Sequence, residues 1–458
     1  MRTVMKFGGS VLSAVEDFQR LAAIVKARRR RGEQILVVNS ALNGVTDQLI
    51  EAAGQALTNE AQMPLFVEGL RERHEALLDE IRGKAIAGQS RAAVGRKLHR
   101  LEKILSAVHA LGSLSPQTKD LVYSFGERLS APLIEAWLKA YGIQARAWDA
   151  DEAGIVTDSC FGRANPQMKS IGKNFKKIAR QLKSKVVIVT GYFGVDGAGN
   201  ATCFGRGGSD FSAGIIANAV DADALELWKD VGCFYSADHR IVKNARKIGH
   251  LSYEEAEELG YFGAKIIHPR TIPPLKEKGI PALVKSVLKP KAIGTRITAK
   301  ARKSHAIVKA IAAKKNVSLI TVRSASMVDA PGYLSRVFGA LSERGISVDM
   351  VSTSEASVSF TIERKDSAAA AKAVEELLHE SERACIENDV AVIGVIGEAI
   401  RSTPGVLGKV CSVLGNAHIN IEALSQGASE INLMLVVKES EVGKAVQCLH
   451  RKLVEGKT

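Results

Sequence analysis

Residues 203 to 214 read Cys-Phe-Gly-Arg-Gly-Gly-Ser-Asp-Phe-Ser-Ala-Gly, and positions 205 to 210 alone hold three glycines, one arginine and one aspartate. The segment lies between a predicted strand and a predicted helix. Gly205, Gly207 and Gly208 permit positive φ and a close backbone approach, and Ser209 or Asp210 is expected to cap the helix that Phe211 begins. The N–H groups and dipole at such a helix start favour a phosphate or a carboxylate, and Arg206 adds a planar fork suited to a carboxylate. Taken alone, the turn is equally well a capped helix after a tight loop, so the rest of the chain must decide.

The N-terminus points the same way. Thr3-Val-Met-Lys-Phe-Gly-Gly-Ser10 reads as a buried strand running into a glycine turn. A lysine in an apolar strand calls for an anionic partner, and Gly8 and Gly9 are expected to leave backbone donors for phosphate oxygens. The lysine precedes the glycines, so this is not a P-loop. A solvated strand-end lysine is the competing interpretation.

With 458 residues and 46% apolar content, the chain can bury a large core in two or three domains. It contains no apolar run of membrane-spanning length, and its first strand starts almost at Met1, so a cytoplasmic protein with no membrane partner is expected. Cys160, Cys203, Cys233, Cys385, Cys411 and Cys448 show no zinc spacing and are expected to be packing residues in a reducing compartment. The formal charge is +14, from 63 basic and 49 acidic residues. Its densest run, Lys26 and Arg28 to Arg31, falls at the C-terminal end of a helix predicted over Val15 to Arg30, where cations complement the dipole. Aromatic residues do not interleave with basic ones, so no nucleic-acid partner is expected.

Strand and helix patterns alternate to about residue 290, the mark of an α/β domain with a largely parallel sheet. Gln34 to Asn39 and Lys185 to Thr190 read as central strands. Ligands gather at the carboxyl ends of such strands, which here carry Lys6, Ser40 to Thr46, Gly191 to Gly194 and Gly205 to Asp210. Residues 60 to 112 read as charged, solvated helices without chemistry. Beyond residue 300 a repeat appears at an offset of 73: Pro331-Gly332, Leu334, Val337, Leu341, Ile346 and Asp349 correspond to Pro404-Gly405, Leu407, Val410, Leu414, Ile419 and Glu422. Two small α+β modules follow from it, suited to binding or regulation.

Lys6-Phe-Gly-Gly-Ser10, Phe204-Gly-Arg-Gly-Gly-Ser-Asp210, Leu227-Trp-Lys-Asp230 and Phe262-Gly-Ala-Lys-Ile-Ile-His-Pro269 together resemble the aspartokinases of the amino acid kinase family, with paired ACT domains, over nearly the whole chain. The resemblance implies an α/β amino acid kinase fold, a largely parallel sheet sandwiched by helices, over residues 1–298. Two α+β ACT (ferredoxin-like) modules would follow over 299–458, at about 316–388 and 389–458, the second completed by a strand near 306–312. It also implies transfer of the γ-phosphoryl group of ATP to the side chain of L-aspartate. Lys6 would contact the phosphoryl group with Gly8, Gly9 and Ser10, and Asp210 would hold Lys6. Lys229, Asp230, Tyr235, Arg240 and Lys265 would contact the nucleotide, with Mg²⁺ held mainly by its phosphates. Glu127, in Tyr123-Ser-Phe-Gly-Glu-Arg128, would face the α-amino group and Arg206 the α-carboxylate, among Ser40, Thr46, Tyr192 and Ser209.

The match departs from the family within Asp230-Val-Gly-Cys-Phe-Tyr-Ser-Ala-Asp-His-Arg240, where Cys233 stands for a glycine and His239 for a proline. Ser326 to Leu334 and Ile346 to Glu355 resemble the effector segments of lysine-inhibited members. They supply Met327, Ala330, Tyr333, Leu334, Val348, Asp349, Ser354 and Glu355, with Asp349 and Glu355 placed to receive ammonium groups. Ala428 stands opposite Glu355 in the repeat, which implies one effector site per pair. Relatives pair their ACT sheets, implying a homodimer with a tetramer as the alternative. A kinase of another small carboxylate and a non-catalytic amino-acid sensor are the competing functions.

Overall fold

β1 (Arg2–Phe7) is buried from Thr3 onward and lies in the middle of an eight-stranded sheet. In the computed structural model the described residues are 1–262, 266–300, 307–378, 383–427 and 431–456. They form two compact units, one of residues 1–234, 249–257 and 266–300, the other of residues 235–248, 258–262 and 307–456. No helix among the described residues is long and apolar enough to cross a membrane.

After β1 the first unit runs through α1 (Val15–Arg29), β2 (Gln34–Asn39), α2 (Val45–Gln55), α3 (Gln62–Asp79) and α4 (Lys84–Leu111). It continues through α5 (Pro116–Tyr123), α6 (Phe125–Ala140), β3 (Ala145–Trp148), α7 (Ala150–Ala153) and α8 (Met168–Gln181). Then come β4 (Val186–Thr190), β5 (Phe193–Val195), β6 (Ala201–Cys203), α9 (Gly208–Ala219) and β7 (Ala224–Lys229). At residue 234 the chain leaves this unit for a two-stranded ribbon, β8 (Phe234–Tyr235) with β9 (Lys247–Ile248), whose residues from 235 on belong to the second unit. It returns with β10 (His250–Ser252), the start of α10 (Tyr253–Tyr261), α11 (Ile272–Lys278), β11 (Ala282–Ser286) and β12 (Thr295–Thr298), the end of α10 counting with the second unit. The large sheet has the order β10-β12-β11-β7-β1-β2-β4-β3, parallel except between β11 and β12. Covered strands need apolar residues on both faces, which is why β2 and β4 read as nearly unbroken Val, Ile and Leu. Their carboxyl ends open together at one edge.

Two expectations need correction here, and one is met with an addition. Residues 60 to 112 are not a solvated excursion. Met63, Val67, Leu70, Leu77 and Leu78 of α3 and Val94, Leu98, Leu101, Leu105 and Val108 of α4 join the main core with Phe18, Leu129 and Trp137. The apolar stripe is narrow and charged residues fill the rest of each helix, so composition hid it. The basic run does end α1, with Lys26, Arg28 and Arg29 in its last turn, and Arg28 in addition pairs with Glu33 at 2.7 Å and Glu226 at 2.8 Å. All six cysteines are free, but only Cys203 and Cys233 are buried; Cys160, on a loop, and Cys385, on an outward position of a strand, are exposed.

The second unit is built on two 14-residue strands, β13 (Ala310–Arg323) and β16 (Arg383–Ile396). Between and after them come α12 (Tyr333–Glu343), β14 (Val348–Thr353), β15 (Ser357–Glu363), α13 (Ser367–Glu375), α14 (Val406–Asn416), β17 (Ala423–Ser425), β18 (Asn432–Lys438) and α15 (Val442–Leu453). The sheet order β14-β15-β13-β16-β18-β17 is antiparallel throughout. α12 and α14 begin at the 73-residue offset of the repeat, each after a glycine in the left-handed region, Gly332 at φ 84° and Gly405 at φ 81°. The strand expected near 306–312 is described from Ala310, and Ala310 to Lys314 pair with Ile396 to Val392; Ala306 lies outside the described residues.

Residues 235–248 pack within this second unit. Ala237 and Val242 join the core formed by Val410, Leu435 and Leu449, and Ser236 Oγ lies 2.8 Å from His450 Nε2. Tyr235 and Arg240 are therefore carried by the second unit.

If α4 is part of the core, Leu101→Ala should lower stability in urea unfolding by about 2–5 kcal/mol. Leu111→Ala, at a site 76% exposed, should change it by less than about 0.5 kcal/mol. Equal small effects would return α4 to solvent.

Candidate active site

Two strand ends and one helix start meet at a carboxylate. β1 carries Lys6 and β7 carries Lys229 to the carboxyl edge of the sheet, and the first turn of α9 presents Asp210 to both. Lys6 Nζ lies 2.6 Å from Asp210 Oδ1, and Lys229 Nζ donates to Oδ2 at 2.9 Å. Lys6 and Asp210 are buried. Burial would raise the Asp210 carboxyl, but the charges of Lys229 and Lys6 outweigh it and hold the group below the ordinary carboxylate range. Burial pushes the Lys6 ammonium below its ordinary value against the pull of Asp210. Two ammonium groups on one carboxylate leave an excess positive charge that favours an anion.

The helix cap differs from expectation. Gly207, at φ 69°, is the N-cap, the helix starts at Gly208, and no side chain caps it. A left-handed cap is cheap for glycine, which frees Ser209 and Asp210 for other partners within the first turn. Ser209 Oγ donates to Glu127 Oε1 at 2.9 Å. The glycine donors also need correction: Gly8 N–H is not free but donates to the Trp228 carbonyl at 3.3 Å, because the β1–β7 pairing continues one residue past the strand. Gly9 starts a short 3₁₀ turn to Val11, and Ser10 is exposed.

Next to this cradle lies a buried acid. Glu127, in the first turn of α6, has its second oxygen, Oε2, buried without a hydrogen-bond partner among the described residues. Burial raises its carboxyl to about 7. Asn39, at the end of β2, donates from Nδ2 to the Glu127 carbonyl at 2.9 Å and to Ser130 Oγ at 2.7 Å, and Ser130 Oγ donates to the Ser40 carbonyl at 2.6 Å. Thr46 is half-buried in α2, and its Oγ1 would stand 3.5 Å from a Cβ at Gly126. Ser40, Thr46, Glu127 and Ser209 are thus gathered in one region.

Tyr192 is held at φ 74°, uncommon for a residue with a side chain, and its N–H donates to Ser212 Oγ at 2.9 Å. Burial pushes its phenol up. At the preceding Gly191 a Cβ would stand 2.9 Å from both the Asn39 carbonyl oxygen and Ser209 Cβ, so β4 and α9 meet only through a glycine. Arg206 is exposed on the turn and makes no hydrogen bond or ion pair among the described residues.

Several supports escaped the sequence analysis. Asp120 Oδ2 accepts from the N–H groups of Gly162 and Cys203, both at 2.7 Å. Arg270 donates to the carbonyls of Phe204 at 3.0 Å and Ala164 at 2.9 Å and lies over the Phe211 ring. Both clamp the strand that feeds the glycine turn. Asn39 and Ser130 are the other two, and none carries a local motif.

The nucleotide candidates are divided. Lys229 ends β7 and the exposed Asp230 follows it in the first unit, whereas Tyr235 and Arg240 belong to the second. There the Tyr235 ring lies 5.9 Å from that of His239, and Arg240 pairs with Asp238 at 2.6 Å. Lys265 lies outside the described residues. Among the effector candidates, Met327, Ala330, Leu334 and Val348 are partly buried around Tyr333, and Ser354 and Glu355 are exposed between β14 and β15. Asp349 is already paired, to Lys314 at 2.5 Å. Ala428, opposite Glu355 in the repeat, lies outside the described residues.

Comparison with known proteins bears on the family and the fold. The amino acid kinase family profile matches residues 1–286, and an ACT domain profile matches residues 320–378 and 393–453. Aspartokinase 1, chloroplastic, of Arabidopsis thaliana is 32% identical over 99% of this chain and 80% of its own length. Escherichia coli aspartokinase III, solved in complex with aspartate and ADP, is 30% identical, with a TM-score of 0.86 over 99% of this chain and 100% of that one. The same enzyme with lysine and aspartate gives a TM-score of 0.81, covering 99% of each chain, again at 30% identity. The chain therefore belongs to the amino acid kinase family and, within it, to the aspartokinases.

Proposed function

We propose that this aspartate kinase uses ATP to phosphorylate the side-chain carboxylate of L-aspartate, giving 4-phospho-L-aspartate and ADP, with the Lys6–Asp210–Lys229 cradle receiving the transferred group. The observation that carries this is the pairing of two ammonium groups with one buried carboxylate beside a second buried carboxylate that has an unpartnered oxygen. A substrate carboxylate oxygen attacks the γ-phosphorus, the bond to the β-bridging oxygen breaks, and ADP leaves with that electron pair. The nucleophile is already ionised, so no general base is required. Catalysis rests on positioning and on cations that meet charge spreading over the transferred group.

Lys6 is the principal such cation, with Lys229 beside it. Asp210 holds both in place and offsets their mutual repulsion. Glu127 faces the substrate ammonium and Arg206 its α-carboxylate, with Ser40, Thr46, Tyr192 and Ser209 lining the pocket. Mg²⁺ neutralises charge on the nucleotide phosphates when bound. Both oxygens of Asp210 are engaged by lysines, so the ion would be held mainly by the phosphate oxygens of the nucleotide. Lysine is the proposed feedback effector, at the first ACT module, supported by its acidic segment and by the lysine complex of the Escherichia coli enzyme. A cytoplasmic homodimer joined through its ACT sheets completes the proposal.

Lys6→Ala should lower kcat by about two to three orders of magnitude in an ATP-dependent hydroxamate assay with aspartate. Near-normal turnover would remove Lys6 from the mechanism. Because the Glu127 carboxyl is raised to about 7, it becomes neutral as pH falls through that value and stops attracting an ammonium. The KM for aspartate should rise on the acid side while that for ATP changes little, and Glu127→Gln should make the aspartate KM high at every pH. A flat profile in the unaltered enzyme would place the ammonium elsewhere. Glu355→Ala should retain activity and require much more lysine for half-inhibition; unchanged lysine sensitivity would move the effector site.

A further inference from the structure

Asn39 is fully buried at the end of a strand whose preceding residues are Val37 and Val38. A polar side chain in such a place is normally satisfied at every atom. Its two amide hydrogens are, by the Glu127 carbonyl and by Ser130 Oγ. Its carbonyl oxygen Oδ1 is not: it is buried without a donor among the described residues, as is Glu127 Oε2. The orientation of the amide is set by its partners. Turned over, it would face its oxygen toward the Glu127 carbonyl, acceptor against acceptor.

The two orphan acceptors belong to residues that touch, since Asn39 binds the backbone of Glu127 itself. What both lack is a donor, and a primary ammonium group has three donors and no acceptor. We propose that Asn39 Oδ1 is the second acceptor for the substrate ammonium, beside Glu127 Oε2, which makes Asn39 a specificity-determining residue for a primary amino acid. The inference rests on the placement of the ammonium at Glu127 made above. A carboxylate supplies charge attraction to any amine, but a neutral carbonyl at a fixed distance counts hydrogens. A substrate whose nitrogen bears two methyl groups keeps its charge but has a single donor for the two acceptors.

Asn39→Leu is similar in size and removes the acceptor. The test compares kcat/KM for L-aspartate and N,N-dimethyl-L-aspartate in both enzymes and follows the KM for ATP. The aspartate KM should rise about tenfold to a hundredfold, the loss expected for one hydrogen bond to a charged group. The ATP KM should stay constant, and the preference for aspartate over its N,N-dimethyl analogue should collapse. An equal loss with both substrates would overturn the proposal and leave Asn39 as a buttress for α6. An unchanged aspartate KM would also overturn it. If thermal melting shows the leucine variant unfolded, Asn39→Val, β-branched, suited to a strand and without an acceptor, takes its place in the same comparison. Glu127→Gln separates the two levels. If that variant leaves the aspartate KM unchanged, the placement of the ammonium fails. If it raises the KM while Asn39→Leu does not, only the role of Asn39 falls.

Discussion

One buried carboxylate with two ammonium groups organises the first unit. Asp210 draws Lys6 from β1 and Lys229 from β7 to a single point, and those strands are neighbours in the sheet. Removing a charge from such a cluster is costly because the partners remain desolvated, so the arrangement is strongly constrained. It also explains the packing around it. Glycine is required at 207 for the left-handed cap and at 191 for close approach of α9 to the strand ends. Only then can the first turn of α9 present Ser209 to Glu127 and Asp210 to the lysines from adjacent positions.

The acidic pocket is a second, quieter constraint. Glu127 sits in a nearly dry environment that disfavours its charge, and its oxygens divide the work: one is tied to Ser209, the other is left open. Tyr192 pays part of the cost of building this pocket with an unusual backbone angle, secured by the hydroxyl of Ser212.

How much of this was legible in the sequence depended on whether the signal was local. Lys6 in an apolar strand and three glycines beside Asp210 are anomalies within a few residues, and they marked the cradle. The alternation of apolar runs marked the parallel sheet, and the repeat at offset 73 marked the paired helices of the second unit. Asn39 is 91 residues from Ser130, and Asp120 is 83 from Cys203; each looks like an ordinary polar residue until the fold brings its partner. The capping residue was misjudged because a serine and an aspartate both satisfy the usual chemistry, whereas the backbone angle at Gly207 made the decision. The assignment of Tyr235 and Arg240 to the second unit was invisible for a different reason. It depends on Ala237 and Val242 being taken into a core whose other members lie some 60 to 200 residues further along the chain.

The long strands of the second unit carry a mechanical consequence. β13 and β16 run through both modules without a break, so the two repeats share one hydrogen-bonded plate rather than a hinge. Its ladder shifts register between Lys314 and Val317, where Asn316 takes a left-handed angle of 59°. That irregularity is a crease in the plate, and the residue at its edge, Lys314, is the one that grips Asp349. With no loop joining the modules at this point, a change of twist on one side of the plate passes to the other along the shared strands.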